Sequence, residues 1–146
     1  MSPSIGPVAP GYRSITLYLV VEGAAAVLDF LRDAFGAEEL RRMLLPDGRV
    51  AHAEVRIGDS VLMLADSCSE FPPTQAGIHL YMAEVDAVYE RVLRLGATAI
   101  RPPADQFYGD RSASVRDRWG NSWHIATHIE DLSEEEMSRR AAALHG

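Results

Sequence analysis

The sequence predicts an α+β protein made of two βαβββ modules, forming a curved mixed sheet with helices on its outer face and a further helix at the C-terminus. Three observations carry this. Ala34-Phe35-Gly36-Ala37 returns as Arg94-Leu95-Gly96-Ala97, 60 residues later. At both places an apolar segment of helical period stops at a glycine before an extended run, as a helix does when its end turns left-handed. Ahead of each helix lies a short run of strand character, and after each glycine come three more.

The elements follow in order. Ser14 to Val21 alternates, with Ile15, Leu17, Leu19 and Val21 on one face and Ser14, Thr16, Tyr18 and Val20 on the other. Ala24 to Phe35 spaces Val27, Phe30, Leu31 and Ala34 as one helical stripe. Strands are expected over 38–45, 49–57 and 61–65, separated by the turns Pro46-Asp47-Gly48 and Gly58-Asp59-Ser60. The second module repeats the plan: a strand at 77–82, a helix at 85–95 with Val88, Val92 and Leu95 on one stripe, and strands at 98–100, 112–116 and 122–127. Ser133 and Glu136 form a capping box that starts the last helix, and Arg139-Arg140 suit the negative end of its dipole. The expected organisation is therefore an extended arm at 1–13, modules at 14–66 and 76–131 joined by a link containing Pro72-Pro73, and a terminal helix within 132–146.

The chain has 146 residues, 47% of them hydrophobic, enough for one domain with a core or two small intimate halves. A net charge of −7 argues against a nucleic-acid binder, which needs a basic face to neutralise phosphates. An anionic small molecule stays open, because one local arginine outweighs global charge. The single cysteine, Cys68, builds no intrachain disulfide and reads as a loop residue of a cytoplasmic protein. No apolar run reaches the ~18 residues that span a bilayer, and MSPSIGPVAPGY lacks the basic and apolar segments of a secretory signal.

One face of each module packs its helix and the other is free to line a cavity. Parity assigns Ala51, Ala53, Val55 and Ile57 to the core, leaving Val50, His52, Glu54 and Arg56 opposite. Ile78, Leu80 and Met82 pack inward, leaving Gly77, His79 and Tyr81. Trp123 and Ile125 pack inward, leaving Ser122, His124, Ala126 and the more distant His128. The candidate ligand-binding set is thus Tyr18, His52, Glu54, Arg56, His79, Tyr81 and His124. An ordinary solvent-facing sheet carries Lys, Thr, Glu and Gln, whereas His and Tyr point to a pocket. The bland alternatives are a wet sheet with local pairs or a dimer seam.

Among other chemistries, no Gly-rich phosphate loop, Gly-x-Ser-x-Gly elbow or His-Glu-x-x-His helix occurs. Metal-free acid–base catalysis by Glu54 with His52 or His79 stays open. Asp110-Arg111 is read first as a loop pair and second as a contact for a ligand carboxylate. Trp119 is a cavity lid or an exposed contact, and Trp123 belongs to the core.

The segment Tyr108 to Asp131, YGDRSASVRDRWGNSWHIATHIED, reads as a Gly-Asp-Arg loop, a strand, a tight Asp-Arg-Trp-Gly-Asn turn and a strand carrying His124 and His128. This hairpin resembles the last two strands of the glyoxalase/bleomycin-resistance/extradiol-dioxygenase superfamily (vicinal oxygen chelate proteins), most of all its PhnB-like branch. The resemblance spans about residues 12–131. It implies the same two-module fold, and a homodimer that shares its pockets across the interface. Metal-dependent members hold a divalent ion at four positions, which fall here on Thr16, Met63, Gly77 and His124. The first three are poor replacements for His, Gln or Glu. No metal or other cofactor is therefore expected, and the implied role is metal-independent binding of a small molecule, with sequestration of an antibiotic or metabolite. The competing expectation is a lyase, isomerase or dioxygenase with a site relocated onto His79, His124 and Glu54 or His52. A third is an interaction module without a ligand.

Overall fold

The computed structural model describes residues 5–145. Residues 1–4 of the expected arm and Gly146 of the terminal segment lie outside the described residues. The chain divides into two units, Met1–Thr74 and Gln75–Gly146.

The first unit contains β1 (Tyr18–Val21), α1 (Ala24–Phe35), β2 (Glu38–Leu44), β3 (Val50–Ile57) and β4 (Ser60–Asp66). Its sheet, sheet A, has the order β1-β4-β3-β2, with β1 parallel to β4 and the other pairs antiparallel. The second unit contains β5 (Gly77–Tyr81), α2 (Val85–Arg94), β6 (Thr98–Asp105), β7 (Asp110–Arg116), β8 (Ser122–His128) and α3 (Glu134–His145). Its sheet, sheet B, repeats the plan as β5-β8-β7-β6. The strand–helix–strand–strand–strand order read from the sequence holds in both units, and the fold is α+β.

The helices form where the apolar stripes predict them. Val27, Phe30, Leu31 and Ala34 of α1 are all buried, and so are Val88 and Val92 of α2. Gly36 ends α1 at φ 67 and Gly96 follows α2 at φ 100, a left-handed turn that a Cβ would strain. Leu19, Leu31, Leu64, Trp123 and Ile125 are almost fully buried. Each such aliphatic side chain contributes roughly 1.5–3 kcal/mol. In α3 the Glu136 N–H donates to Ser133 Oγ at 3.1 Å, as the capping sequence predicts.

One side chain at the end of each last strand ties the unit together. The helix α1 begins after Gly23 with no cap from its own residues. Asp66 supplies it from β4: Oδ1 accepts Gly23 N–H at 2.8 Å and Ala24 N–H at 2.9 Å, while Oδ2 accepts Val50 N–H at 2.7 Å. Burial alone would raise the Asp66 carboxyl, and these backbone donors outweigh it and hold it below its ordinary value. In the second unit Thr127, 61 residues on, takes the same place. Its Oγ1 accepts Val85 N–H at 3.2 Å and donates to Met82 O at 2.5 Å.

Three expectations are corrected. The first strand starts at Tyr18, not Ser14, and Ile15 is 90% exposed. Its pairing with β4 opens at Tyr18↔Met63, only three residues after β4 itself begins, so little of β4 is left to pair with Ile15. In β3, Val50 is buried and Ala51 exposed, the reverse of their assigned faces. Met43 pairs with His52 and Leu44 with Val50, leaving Ala51 as an extra residue that breaks the alternation. The strand β6 runs through Pro102-Pro103 to Asp105. It lies at the edge of sheet B, where a missing N–H is tolerated, and its pairing is interrupted there. Ala126 keeps the face assigned to it, in the row Tyr81–Ala126–Ser112, although its small side chain is fully buried there.

The end of β8 carries a charged latch. His128 Nδ1 lies 2.8 Å from buried Asp110 Oδ1, and Nε2 lies 2.7 Å from Asp131 Oδ1. Asp110 first, then Asp131, raise the imidazole above its ordinary value of 6.5. Two outcomes are expected. Asp66→Ala should cost at least about 2 kcal/mol, since each buried donor left without an acceptor costs ~1–3 kcal/mol; the check is a lowered urea midpoint with an unchanged slope. A raised histidine contributes stability below the unfolded value and loses it as pH rises through the folded one. Urea midpoints should therefore fall as pH climbs above 6.5, and His128→Asn should flatten that decline.

Candidate functional site

The free face of sheet A is built by β1 and β3. Tyr18 stands at the start of β1. Beyond the bulge at Ala51, His52, Glu54 and Arg56 return to the face that parity assigns them. Tyr18 Oη lies 3.1 Å from His52 Nδ1, and His52 Nε2 lies 2.8 Å from Glu54 Oε2. An ionised carboxylate only accepts, so the His52 Nε2–H donates to Glu54. A neutral ring then has Nδ1 free to accept the Tyr18 hydroxyl proton. The Tyr12 hydroxyl is buried against Glu54 without reaching hydrogen-bond geometry. Tyr12 first, and His52 after it, hold the Glu54 carboxyl below its usual range. Burial, with Glu54 adding to it, raises the Tyr18 phenol, which therefore keeps its proton at neutral pH. Arg56 lies on the same face and reaches outward to Glu38 at 3.5 Å.

Beside this array runs a groove of about 620 Å³, lined by Tyr18, Val20, Ala51, Asp66, Cys68 and Phe71 among others. The link closes it: Cys68 N–H donates to Phe71 O, and Thr74 N–H to Val20 O, bringing the link back along β1. Phe71 is 58% exposed, an aromatic ring held on a tight turn. Sequence reasoning missed Phe71, Cys68 and Ala51. The lone aromatic directly before Pro72-Pro73 is the signal that could have found the first.

The free face of sheet B carries the rest of the expected set. His79 stands opposite His124 in the β5–β8 register, and its ring meets Tyr81 edge-on at 4.8 Å. His124 Nδ1 lies 2.8 Å from Ser114 Oγ. The Tyr81 hydroxyl donates to Asp110 Oδ2 at 3.1 Å. His79, His124, Ser114 and Arg101 line a small cavity of about 150 Å³. Arg111 is structural: its guanidinium holds Asp86 at 2.7 and 2.9 Å and Asp105 at 3.0 Å. Trp119 is half-buried at the tip of its turn, which Asp117 organises by accepting from Trp119 N–H, Asn121 N–H and Trp123 Nε1–H at 2.9 Å each.

The seven expected residues thus sort into two sets, Tyr18, His52, Glu54 and Arg56 on sheet A and His79, Tyr81 and His124 on sheet B. The residues at the four metal positions do not fit an ion. Thr16 lines a separate small cavity with Tyr12 and Asp59, and Met63 offers only a thioether opposite Tyr18. Gly77 offers no side chain, and His124 gives one nitrogen to Ser114. Among the described residues no three His, Cys, Asp or Glu side chains are placed to hold a metal ion.

The comparisons with known proteins agree with this architecture. The family described as Glyoxalase/Bleomycin resistance protein/Dioxygenase superfamily matches residues 9–125. An uncharacterized protein of Mycobacterium bovis is 35% identical over 135 residues, covering 85% of this chain and 89% of its own. The crystal structure of TioX from Micromonospora sp. ML1 is similar with a TM-score of 0.62 and 25% identity, over 80% of this chain and 100% of that one. A Bacillus cereus PhnB protein, a putative 3-demethylubiquinone-9 3-methyltransferase, has a TM-score of 0.65 at 21% identity, covering 79% of this chain and 99% of its own. With a family match over most of its length and relatives at this identity, the chain belongs to the glyoxalase/bleomycin resistance protein/dioxygenase superfamily.

Proposed function

We propose that this protein binds a planar or amphipathic small molecule on its free sheet faces without a metal, and sequesters an antibiotic or metabolite rather than transforming it. The observation that carries the reading is that Tyr18, whose hydroxyl meets His52 and through it Glu54, also walls the apolar groove of sheet A. At about 620 Å³ the groove falls within the ~300–1,000 Å³ of drug-sized ligand sites. Phe71, Val20 and Ala51 supply apolar area and a ring for stacking, worth about 0.5–1.5 kcal/mol beyond area burial for an aromatic pair. Tyr18 and His52 supply the polar groups that fix orientation. The donor set at Thr16, Met63, Gly77 and His124 supports metal independence.

The hairpin from Tyr108 to Asp131 supports a place in the PhnB-like branch. Family membership supports a homodimer in which each copy completes the other's pocket. No helix among the described residues is long and apolar enough to cross a membrane, which is compatible with a cytoplasmic binder.

The test is a thermal-shift screen of the purified protein against bleomycin and a library of planar amphipathic compounds, followed by calorimetric titration of each hit. At least one compound is expected to raise the melting temperature and bind saturably. His52→Ala should weaken that compound about tenfold or more, since one partner of a hydrogen-bonded array is worth about 1.4 kcal/mol. Tyr18→Phe should weaken it less, because the ring stays. A Kd that ignores both substitutions removes the array from the site.

A further inference from the structure

We infer that the free face of sheet B receives the oxyanionic head of a small molecule, a carboxylate or phosphoryl group, held by Arg101, His79 and His124. This rests on the reading that the free faces bind small molecules, and it adds the chemical class that one of them takes.

The four strands of sheet B place one residue each on a single row. His79 pairs with His124, His124 with Ser114, and Ser114 with Arg101. Every member is a hydrogen-bond donor or a cation. Arg101 reaches this row through a bulge. Ala99 pairs with Val115 and Arg101 with Ser114, leaving Ile100 as the extra residue. Without the bulge an apolar Ile100 would stand opposite Ser114. Bulges of this kind re-aim side chains beside sites.

The cavity that the row borders also takes in Gln106, Tyr108, Ser112 and Ala113, and among these described lining residues there is no Asp or Glu. In a chain of net charge −7 that is a local reversal of sign. The carboxylate at the far end of the same face, Asp110, is buried and already accepts from Tyr81 and His128. Ser114 occupies one nitrogen of His124. The other, and both nitrogens of His79, have no protein hydrogen-bond partner among the described residues. Arg101 forms no ion pair among them either. A guanidinium, two imidazoles and hydroxyls turned toward one small cavity make an oxyanion site, since charge-assisted donors of this kind are the strong ones. The fixed positive charge of the guanidinium also disfavours a divalent cation in the same place. The cavity, about 150 Å³, holds roughly five waters at ~30 Å³ each. That is room for a head group, with the body of the molecule left outside it.

The corresponding row of sheet A shows that the chemistry is not imposed by the fold. Tyr18, Met63, Glu54 and Arg41 stand in the same register there, and the extra residue is Leu40. The skeleton is the same, yet a carboxylate sits where sheet B has Ser114.

The experiment is an NMR titration of the labelled protein at constant pH and ionic strength with inorganic phosphate, benzoate and 2-naphthol. It follows the ring signals of His79, His124 and His52 and the Nε signal of Arg101. Phosphate, benzoate or both should shift His79, His124 and Arg101 saturably. Arg101→Gln should weaken that binding about tenfold or more, while Arg94→Gln, an equal charge change on the exposed end of α2, should leave Kd within about twofold. A response to phosphate alone assigns a phosphoryl head, and one to benzoate alone a carboxylate. Absence of a saturable shift with either anion, or binding that survives Arg101→Gln, overturns the inference. If 2-naphthol then still shifts His52, the proposed function stands without it; if no probe moves either face, both fall.

Discussion

Each unit depends on a polar side chain at the end of its last strand reaching the first turn of its helix. Asp66 takes three backbone N–H groups at once, from Gly23, Ala24 and Val50. It thereby joins the parallel edge of the sheet, the start of the helix and the start of the neighbouring strand. A helix N-terminus leaves donors unsatisfied, and α1 has no cap of its own. Anchoring Val50 at this point fixes where β3 begins, the bulge at Ala51 follows at the next residue, and His52 and Glu54 return to the free face beyond it. The geometry of the candidate site is thus a consequence of how the helix is capped.

The two units repeat this skeleton and diverge in what they place upon it. Thr127 replaces Asp66, and Glu84 at φ 57 takes the left-handed position that Gly23 holds at φ 91. The bulges at Leu40 and Ile100 recur 60 residues apart and bring Arg41 and Arg101 onto their free faces. Across the faces themselves, Tyr18 corresponds to His79, Met63 to His124 and Glu54 to Ser114. Sheet A therefore offers a hydrogen-bonded Tyr–His–Glu array beside apolar walls, and sheet B a donor-rich recess. A ligand with an apolar body suits the first and an oxyanion the second.

Much of this was legible in the sequence because it rests on period and on glycine. The helices at 24–35 and 85–94, their glycine stops, and the three strands after each follow from spacing alone. The free-face histidines were also legible, since alternation through Ala53, Val55 and Ile57 fixes the faces of Glu54 and Arg56, and the same rule sorts Trp123 from His124. What alternation cannot reveal is where it breaks. A bulge depends on which partner residues pair, so Val50, Ala51 and Arg101 were placed wrongly or not at all. Ile15 fits the pattern of a buried strand, but burial needs a partner strand beside it, and β4 starts too late. Phe71 stayed hidden because its place in the groove depends on the link folding back along β1, a contact that no local pattern encodes.

We propose that the free faces act through side chains rather than through a bound ion. Metal analysis of protein purified without chelator, followed by titration with Ni²⁺, Zn²⁺, Fe²⁺ and Mn²⁺ under thermal monitoring, tests it most directly. Substoichiometric metal and an unmoved melting temperature with all four ions are expected. Tight, stoichiometric metal that His124→Ala abolishes would contradict it, and would mark the protein as a metal-dependent member of its superfamily.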